Sequence, residues 1–385
     1  MVGTPITTAS GPSSRLASPP VEGDELTRRF ASALATCDQH VVFERRPVPA
    51  DALRRLAEAC ESFGIDEWDH YAERGAVARL EQRVAELFDA PAAAFFPSGI
   101  MCQQAALRAW CDRSGSRRIA LPGLSHLLHH ELDGPRLLHR FEVELLTDGA
   151  HTPTVDHLTA IPGRLGAVLI ELPLREAGCL LPTWEELTDF SVACRARRVP
   201  LHIDGARIWE AAAGYGRSLP ELSRLADSMY VSFYKGLGGL AGSCLIGPDD
   251  LVQEARRWRT RHGGTLHRST PEAIAALVGL RDVLPTIADS VAWARAFAAA
   301  LPVELAVVPA PPATNTFLVY ASGGADAINE RILAIAEQEG VLLSAPWMPV
   351  DEPGRAKTEV TIGRGALDLD PVAMAERFAG TVMDA

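Results

Sequence analysis

The segment 231-VSFYKGLGG-239 carries a single charged residue, Lys235, among apolar residues, small residues and glycines. No other charged residue occurs between Ser228 and Pro248. The apolar run 229-MYVSF-233 reads as a buried strand, which puts the lysine just past a strand's carboxyl end. An ammonium in that position has two readings. Burial among uncharged neighbours lowers a lysine's pKa, and the neutral amine is a nucleophile that forms Schiff bases. A surface cation at a strand end is the simpler reading, and the segment taken alone favours it.

Working outward, 200-PLHIDGARIWEAA-212 ends a second apolar run on Asp204, followed by Gly-Ala-Arg. That carboxylate could stabilise a protonated ring nitrogen, or it could cap the helix that follows. Further strands are expected in RRIAL, ending at Leu121, and in 141-FEVELL-146, 165-LGAVLIEL-172 and 242-GSCLIG-247, with a helix over 184-WEELTDFSVACRARR-198. Strands alternating with helices predict an α/β fold with a mainly parallel central sheet, whose ligands bind at the carboxyl ends of the strands. Asp204 and Lys235 both stand at such ends.

Three helices are expected before this unit, in 26-LTRRFASALATC-37, 50-ADALRRLAEACESF-63 and 76-AVARLEQRVAELFDA-90. In the last, Val77, Leu80, Val84 and Leu87 recur at helical spacing. The segment 91-PAAAFFPSG-99 reads as a turn leading into a helix over 100-IMCQQAALRAWCDR-113. After residue 270 a long helical region with an internal proline is followed by strands in 314-TNTFLVYAS-322, 340-GVLLSAPW-347 and 359-EVTIG-363, then a final helix over 370-DPVAMAERFAGTV-382. The expected division is a disordered tail over 1–24, a large domain with its N-terminal helices over 25–270, and a small α+β domain over 271–385. The tail is rich in Ser, Pro and Gly and has no apolar core of a secretory signal.

The chain of 385 residues carries 37 Lys and Arg against 49 Asp and Glu, a net charge of −12. That balance argues against nucleic acid and anionic membranes as main partners. No apolar run reaches the ~18 residues of a membrane span. The 7 cysteines are scattered without metal spacing, which fits reduced thiols and a cytoplasmic protein. No GxGxxG follows the first strand, which argues against a nicotinamide enzyme.

Ser98 and Gly99 open a helix, whose free N–H groups and hydroxyl suit a phosphate, although Ser-Gly is also a common loop pair. In 121-LPGLSHLLHHE-131, His126, His129 and His130 offer a ring to stack on a flat cofactor or to relay a proton. No HExxH pattern supports a metal, and none is expected.

Taken together, HIDGARIWEAA followed by VSFYKGLGGLAGS resembles the threonine aldolase and β-eliminating lyase family, fold-type-I enzymes that use pyridoxal 5′-phosphate (PLP). The resemblance runs from about residue 66 to 248, and more loosely to Asn315 in 313-ATNTF-317. It implies that Lys235 holds PLP as a Schiff base and that Asp204 pairs with the pyridine nitrogen. It further implies that His126 stacks on the ring, with Glu131 at the family's spacing, and that Ser98, Gly99 and the Ile100 amide bind phosphate. Arg207 matches the arginine near the substrate carboxylate and the cofactor hydroxyl. Tyr71 lies where the family has a tyrosine near the site. The implied activity is cleavage of a threonine-like β-hydroxy-α-amino acid to glycine and an aldehyde, by a homodimer or homotetramer acting on a small-molecule substrate. Other PLP chemistry (β-elimination, transaldol exchange, racemisation or transamination) and a silent PLP-fold binding protein are the alternatives.

The chain departs from the family in several places. The Ser-Asp-Thr segment is replaced in 40-HVVFERRPVPADAL-53, and Glu359 falls near the family's carboxylate-binding arginine. Arg364, just past that strand, is the expected substitute and should point into the pocket. In 262-HGGTLHR-268, His267 or Arg268 is expected to reach the phosphate. The loop 171-ELPLREAGC-179 also differs from the family's Glu-Asn-Thr-His.

Overall fold

The computed structural model describes residues 25–44 and 47–383, so the expected tail over 1–24 lies outside the described residues. Helices α1 (Glu25–Thr36), α2 (Pro49–Phe63), α3 (Gly75–Phe88) and α4 (Gly99–Ser114) lie where the apolar spacing predicts them. Strand β1 (Gln39–His40) follows α1. The central sheet comprises β2 (Ala92–Phe96), β3 (Arg118–Pro122), β4 (Glu142–Thr147), β5 (Ala167–Glu171), β6 (Leu201–Gly205), β7 (Ser228–Ser232) and β8 (Ser243–Gly247). Its order is β2-β8-β7-β6-β5-β3-β4, and β8 alone runs against the rest.

This topology positions the site. The carboxyl ends of β2, β3, β5, β6 and β7 share one edge of the sheet, so Ser98, His126, Glu171, Asp204 and Lys235 follow strands that end side by side. Glu171 is the register partner of Asp204, and Asp204 that of Tyr230. β5, β6, β7 and β8 are buried along their whole length, which explains why they read as continuous apolar runs and not as alternating ones.

The smaller sheet contains β9 (Ala306–Val308), β10 (Thr316–Ser322), β12 (Met348–Pro349) and β13 (Arg355–Thr361), in the order β12-β13-β10-β9. Strand β11 (Val341–Leu342) pairs with β1 instead. Phe30, Ala33, Val41 and Val42 share a core with Phe297, Phe317, Trp347 and Phe378. Residues 25–42 therefore pack with the C-terminal part, not with the large domain in which the sequence grouped them.

Three other expectations change. The segment 91–99 is not a turn, since Ala92–Phe96 form the edge strand β2 and pair with β8. Alanine has low strand propensity, and burial between the α3 and α4 faces overrides it. Only Val341–Leu342 of 340–347 is a strand. The long helical region breaks at 279–286, where a wide turn and a tight turn around Pro285 separate helices Thr270–Val278 and Ile287–Ala300.

Candidate active site

Lys235 leaves β7 into a loop partly closed from solvent. Desolvation lowers its pKa, aided by the cations Arg207 and Arg175, while Asp204 and Glu171 oppose the shift. Asp204 is 4% exposed and fully engaged on its protein side. Gln103 Nε2 donates to its Oδ2 at 2.8 Å, and the Ala206 N–H donates to its Oδ1 at 3.0 Å. Beside it, burial first and then the Asp204 charge hold the Glu171 carboxyl well above the usual carboxylate range.

His126 opens a short helical turn after β3. Its N–H donates to Glu171, and its Nδ1 lies 3.3 Å from Glu131 Oε1. Glu131 is buried, and its other oxygen accepts from Gln104 Nε2 at 2.7 Å. This chain fixes the ring of His126. The neighbouring histidines are spent elsewhere. His129 Nε2 lies 2.9 Å from the Gly123 carbonyl, and His130 Nε2 lies 2.9 Å from Glu176. Among the described residues no group of three or more His, Cys, Asp or Glu is arranged to hold a metal ion.

Helix α4 begins beside this cluster. Ser98 is its N-cap, and its Oγ accepts from the Met101 N–H at 3.3 Å. The Gly99 and Ile100 N–H groups have no carbonyl one turn back to bond within the helix, so they face outward as donors. A Cβ on Gly99 would lie 2.2 Å from the Tyr230 hydroxyl, so only glycine brings this backbone so close to β7. The loop 262–268 covers the same turn, since a Cβ on Gly264 would strike Met101 Sδ.

Arg207 is half-buried near Asp204, and its nearest ion-pair partner among the described residues is Glu359 at 4.0 Å. The same carboxylate lies 3.0 Å from Arg175. Tyr71, His267 and Arg268 form one cluster with His70. The Tyr71 and His267 rings lie 5.2 Å apart, and Arg268 donates to the Asp69 carbonyl. Arg364 donates to Glu44 Oε1 at 3.2 Å and to the Asp282 carbonyl at 3.4 Å, and it makes no ion pair with the Lys235 cluster.

The sequence did not single out Gln103, Gln104, Glu171, Arg175 or Glu210. Glu171 left a trace, as the charged end of the apolar run AVLIE. The glutamines left none, because their partners are distant in sequence. Glu210 is buried against Gly236, where a Cβ would come 1.8 Å from its Oε1.

These residues fit PLP. Gln103 Oε1, Ser232 Oγ and Glu210 Oε2 are buried polar atoms around Lys235 and Asp204 without a hydrogen-bond partner, as expected where a bound group completes the site. The donor set also suits the cofactor: an amine for its aldehyde, a carboxylate for its ring nitrogen and a helix N-terminus for its phosphate.

The beta-eliminating lyase family matches residues 47–323. A low specificity L-threonine aldolase of Escherichia coli O157:H7 is 30% identical over 249 residues, covering 62% of this chain and 74% of its own. A probable low-specificity L-threonine aldolase of Schizosaccharomyces pombe is 27% identical, covering 78% of each. The crystal structure of a Listeria monocytogenes protein proposed to be an L-allo-threonine aldolase superposes with a TM-score of 0.85 at 33% identity, covering 93% of this chain and 99% of the other. A serine palmitoyltransferase of Sphingomonas wittichii, at 13% identity and a TM-score of 0.61, covering 88% of this chain and 84% of the other, shares the fold. The chain belongs to the beta-eliminating lyase family, and it is a fold-type-I lyase that uses PLP.

Proposed function

We propose that the protein cleaves a threonine-like β-hydroxy-α-amino acid between Cα and Cβ, giving glycine and an aldehyde. The observation that carries this reading is the convergence of Lys235, Asp204 and the Glu131-held His126 on one edge of the sheet. When bound, PLP supplies a ring that accepts the electron pair released at Cα. Lys235, with its lowered pKa, supplies the amine that anchors the cofactor. Asp204, buried and braced by Gln103, holds positive charge on the ring nitrogen. Ser98 and the Gly99 and Ile100 amides hold phosphate, with His267 or Arg268 as a further contact.

Arg207 binds the substrate carboxylate and orients the scissile bond. Tyr71 is assigned to the substrate side. His126 Nε2 takes the β-hydroxyl proton as the Cα–Cβ bond breaks and the aldehyde carbonyl forms, and Glu131 stabilises the resulting imidazolium. Lys235 or water then returns a proton to Cα. This scheme gives the substrate carboxylate to Arg207, and Arg364 pairs with Glu44.

We also infer a homodimer or homotetramer. The exposed cluster of Tyr71, His267 and Arg268 supports a contact across it. Among the described residues no helix is long and apolar enough to cross a membrane, and a cytoplasmic location belongs to the same proposal.

Product analysis with L-threonine, L-serine and L-alanine tests the reading. Acetaldehyde and glycine from L-threonine are expected. Pyruvate and ammonia from L-serine without glycine from L-threonine would move the assignment to β-elimination, and D-alanine from L-alanine would move it to racemisation.

A further inference from the structure

We propose that Arg175 is a second substrate carboxylate-binding residue, forming with Arg207 a two-arginine clamp built around Glu359. The inference rests on the reading that PLP binds at Lys235. A carboxylate on the carbon next to the bound amine has to be met by cations facing Lys235. Arg207 and Arg175 both lie close enough to Lys235 to lower its pKa.

Arg175 begins the short turn Arg175–Ala177 after β5. That turn is not a loose surface loop. The Arg175 carbonyl accepts from the Gly178 and Cys179 N–H groups at 2.9 and 3.2 Å, Leu174 pairs with Leu180 across it, and Leu174, Ala177 and Cys179 are buried. The guanidinium is therefore carried by a segment fixed to the strand next to Asp204.

Glu359 reaches the same spot from β13. Its Oε2 lies 3.0 Å from Arg175 and its Oε1 4.0 Å from Arg207. Two guanidiniums repel, and one carboxylate between them offsets that repulsion, bringing cations from two different elements to the two sides of one site. Both retain donors for a ligand. Arg175 spends one amino group on Glu176 at 2.8 Å and the other on Glu359, which leaves Nε. Arg207 is half-buried near Cys179 and Glu210, and among the described residues its one ion pair is the long contact to Glu359.

The pair also connects to the histidine that moves the proton. Glu176, held by Arg175, lies 2.9 Å from His130, whose ring is 4.9 Å from that of His126. Arg364, the cation expected from the sequence, pairs with Glu44.

The test titrates PLP-loaded protein with glycine and, separately, with methylamine, which lacks the carboxylate, following the cofactor's absorbance. Losing a charge-assisted contact should weaken glycine binding about 10- to 100-fold in Arg175→Ala, with methylamine and PLP affinities within about twofold of wild type. Arg175→Lys should recover only part of the loss, since an ammonium does not reproduce the planar fork. Unchanged glycine affinity, or equal losses for glycine and methylamine, would overturn the clamp while the cofactor reading stands. Wild-type protein with no cofactor absorbance that depends on Lys235 would overturn the cofactor reading and this inference with it.

Discussion

Replacing Gly236 with alanine probes the site through its least forgiving contact. The added carbon would sit 1.8 Å from Glu210 Oε1 and 2.7 Å from the carboxyl carbon. Ordinary non-bonded contacts lie near ~3.5 Å, so more than an ångström of space has to be found. Glu210 is poorly placed to give it. Its residue is 2% exposed in the helix Ile208–Tyr215, where burial raises the pKa of its carboxyl and the charges of Arg207 and Lys235 only partly oppose the shift. The φ of Gly236 is not in the left-handed region, so steric overlap alone causes the effect. The displacement then falls on the loop that carries Lys235. Overpacking of this kind costs about 1–3 kcal/mol of stability. Moving a reacting group by ~1 Å costs on the order of 100-fold in rate. The assay is aldehyde release, together with the rate at which borohydride traps the cofactor on Lys235. Glu210→Ala in the same chain removes the clashing atoms and should restore both rates to within about tenfold of wild type. Wild-type rates in Gly236→Ala, or a double variant no better than the single one, would refute the reasoning.

Glu131→Ala removes the partner of His126 Nδ1 and should lower kcat about 10- to 100-fold with PLP affinity unchanged, measured by steady-state kinetics and cofactor titration. Gly99→Ala drives a methyl group to 2.2 Å from the Tyr230 hydroxyl and should weaken PLP binding at least ~10-fold, read by equilibrium titration. His139 is buried without a partner on either ring nitrogen, and burial lowers its pKa to about 4, with help from His262 and Arg108. The unfolded chain therefore binds the proton first, so stability is full above about pH 6.5 and falls as pH drops toward 4. His139→Phe should remove about 2 kcal/mol of that acid sensitivity in urea denaturation compared at pH 7 and pH 5.

Much of the fold was legible because buried parallel strands are short apolar runs, and this chain ends two of them on charged residues. Asp204 closes PLHID, and Lys235 follows MYVSF. Strand β2 was not legible, since three alanines carry no strand signal until β8 pairs with them. Nor was the small domain's debt to α1, because Phe30 joins the core that holds Phe297 and Phe378 only after the chain has crossed the whole large domain. Within the site, residues next to a motif could be read, and residues brought in by register could not. Glu171 joins Asp204 through sheet pairing, and Arg175 joins Arg207 through Glu359 on a strand more than 150 residues away. Arg364 follows the altered strand in sequence, and Glu44 on a distant segment pairs with it. Charge pairing across elements decides such questions, and no local pattern records it.

The most direct measurement is the release of acetaldehyde and glycine from L-threonine and L-allo-threonine by PLP-loaded protein, with Lys235→Ala as the control. Equimolar release of both products by the wild type, and none by the variant, is the predicted result. A wild-type protein that is yellow with cofactor and releases neither product would contradict the aldolase assignment, whereas release that survives in Lys235→Ala would contradict the role given to the lysine.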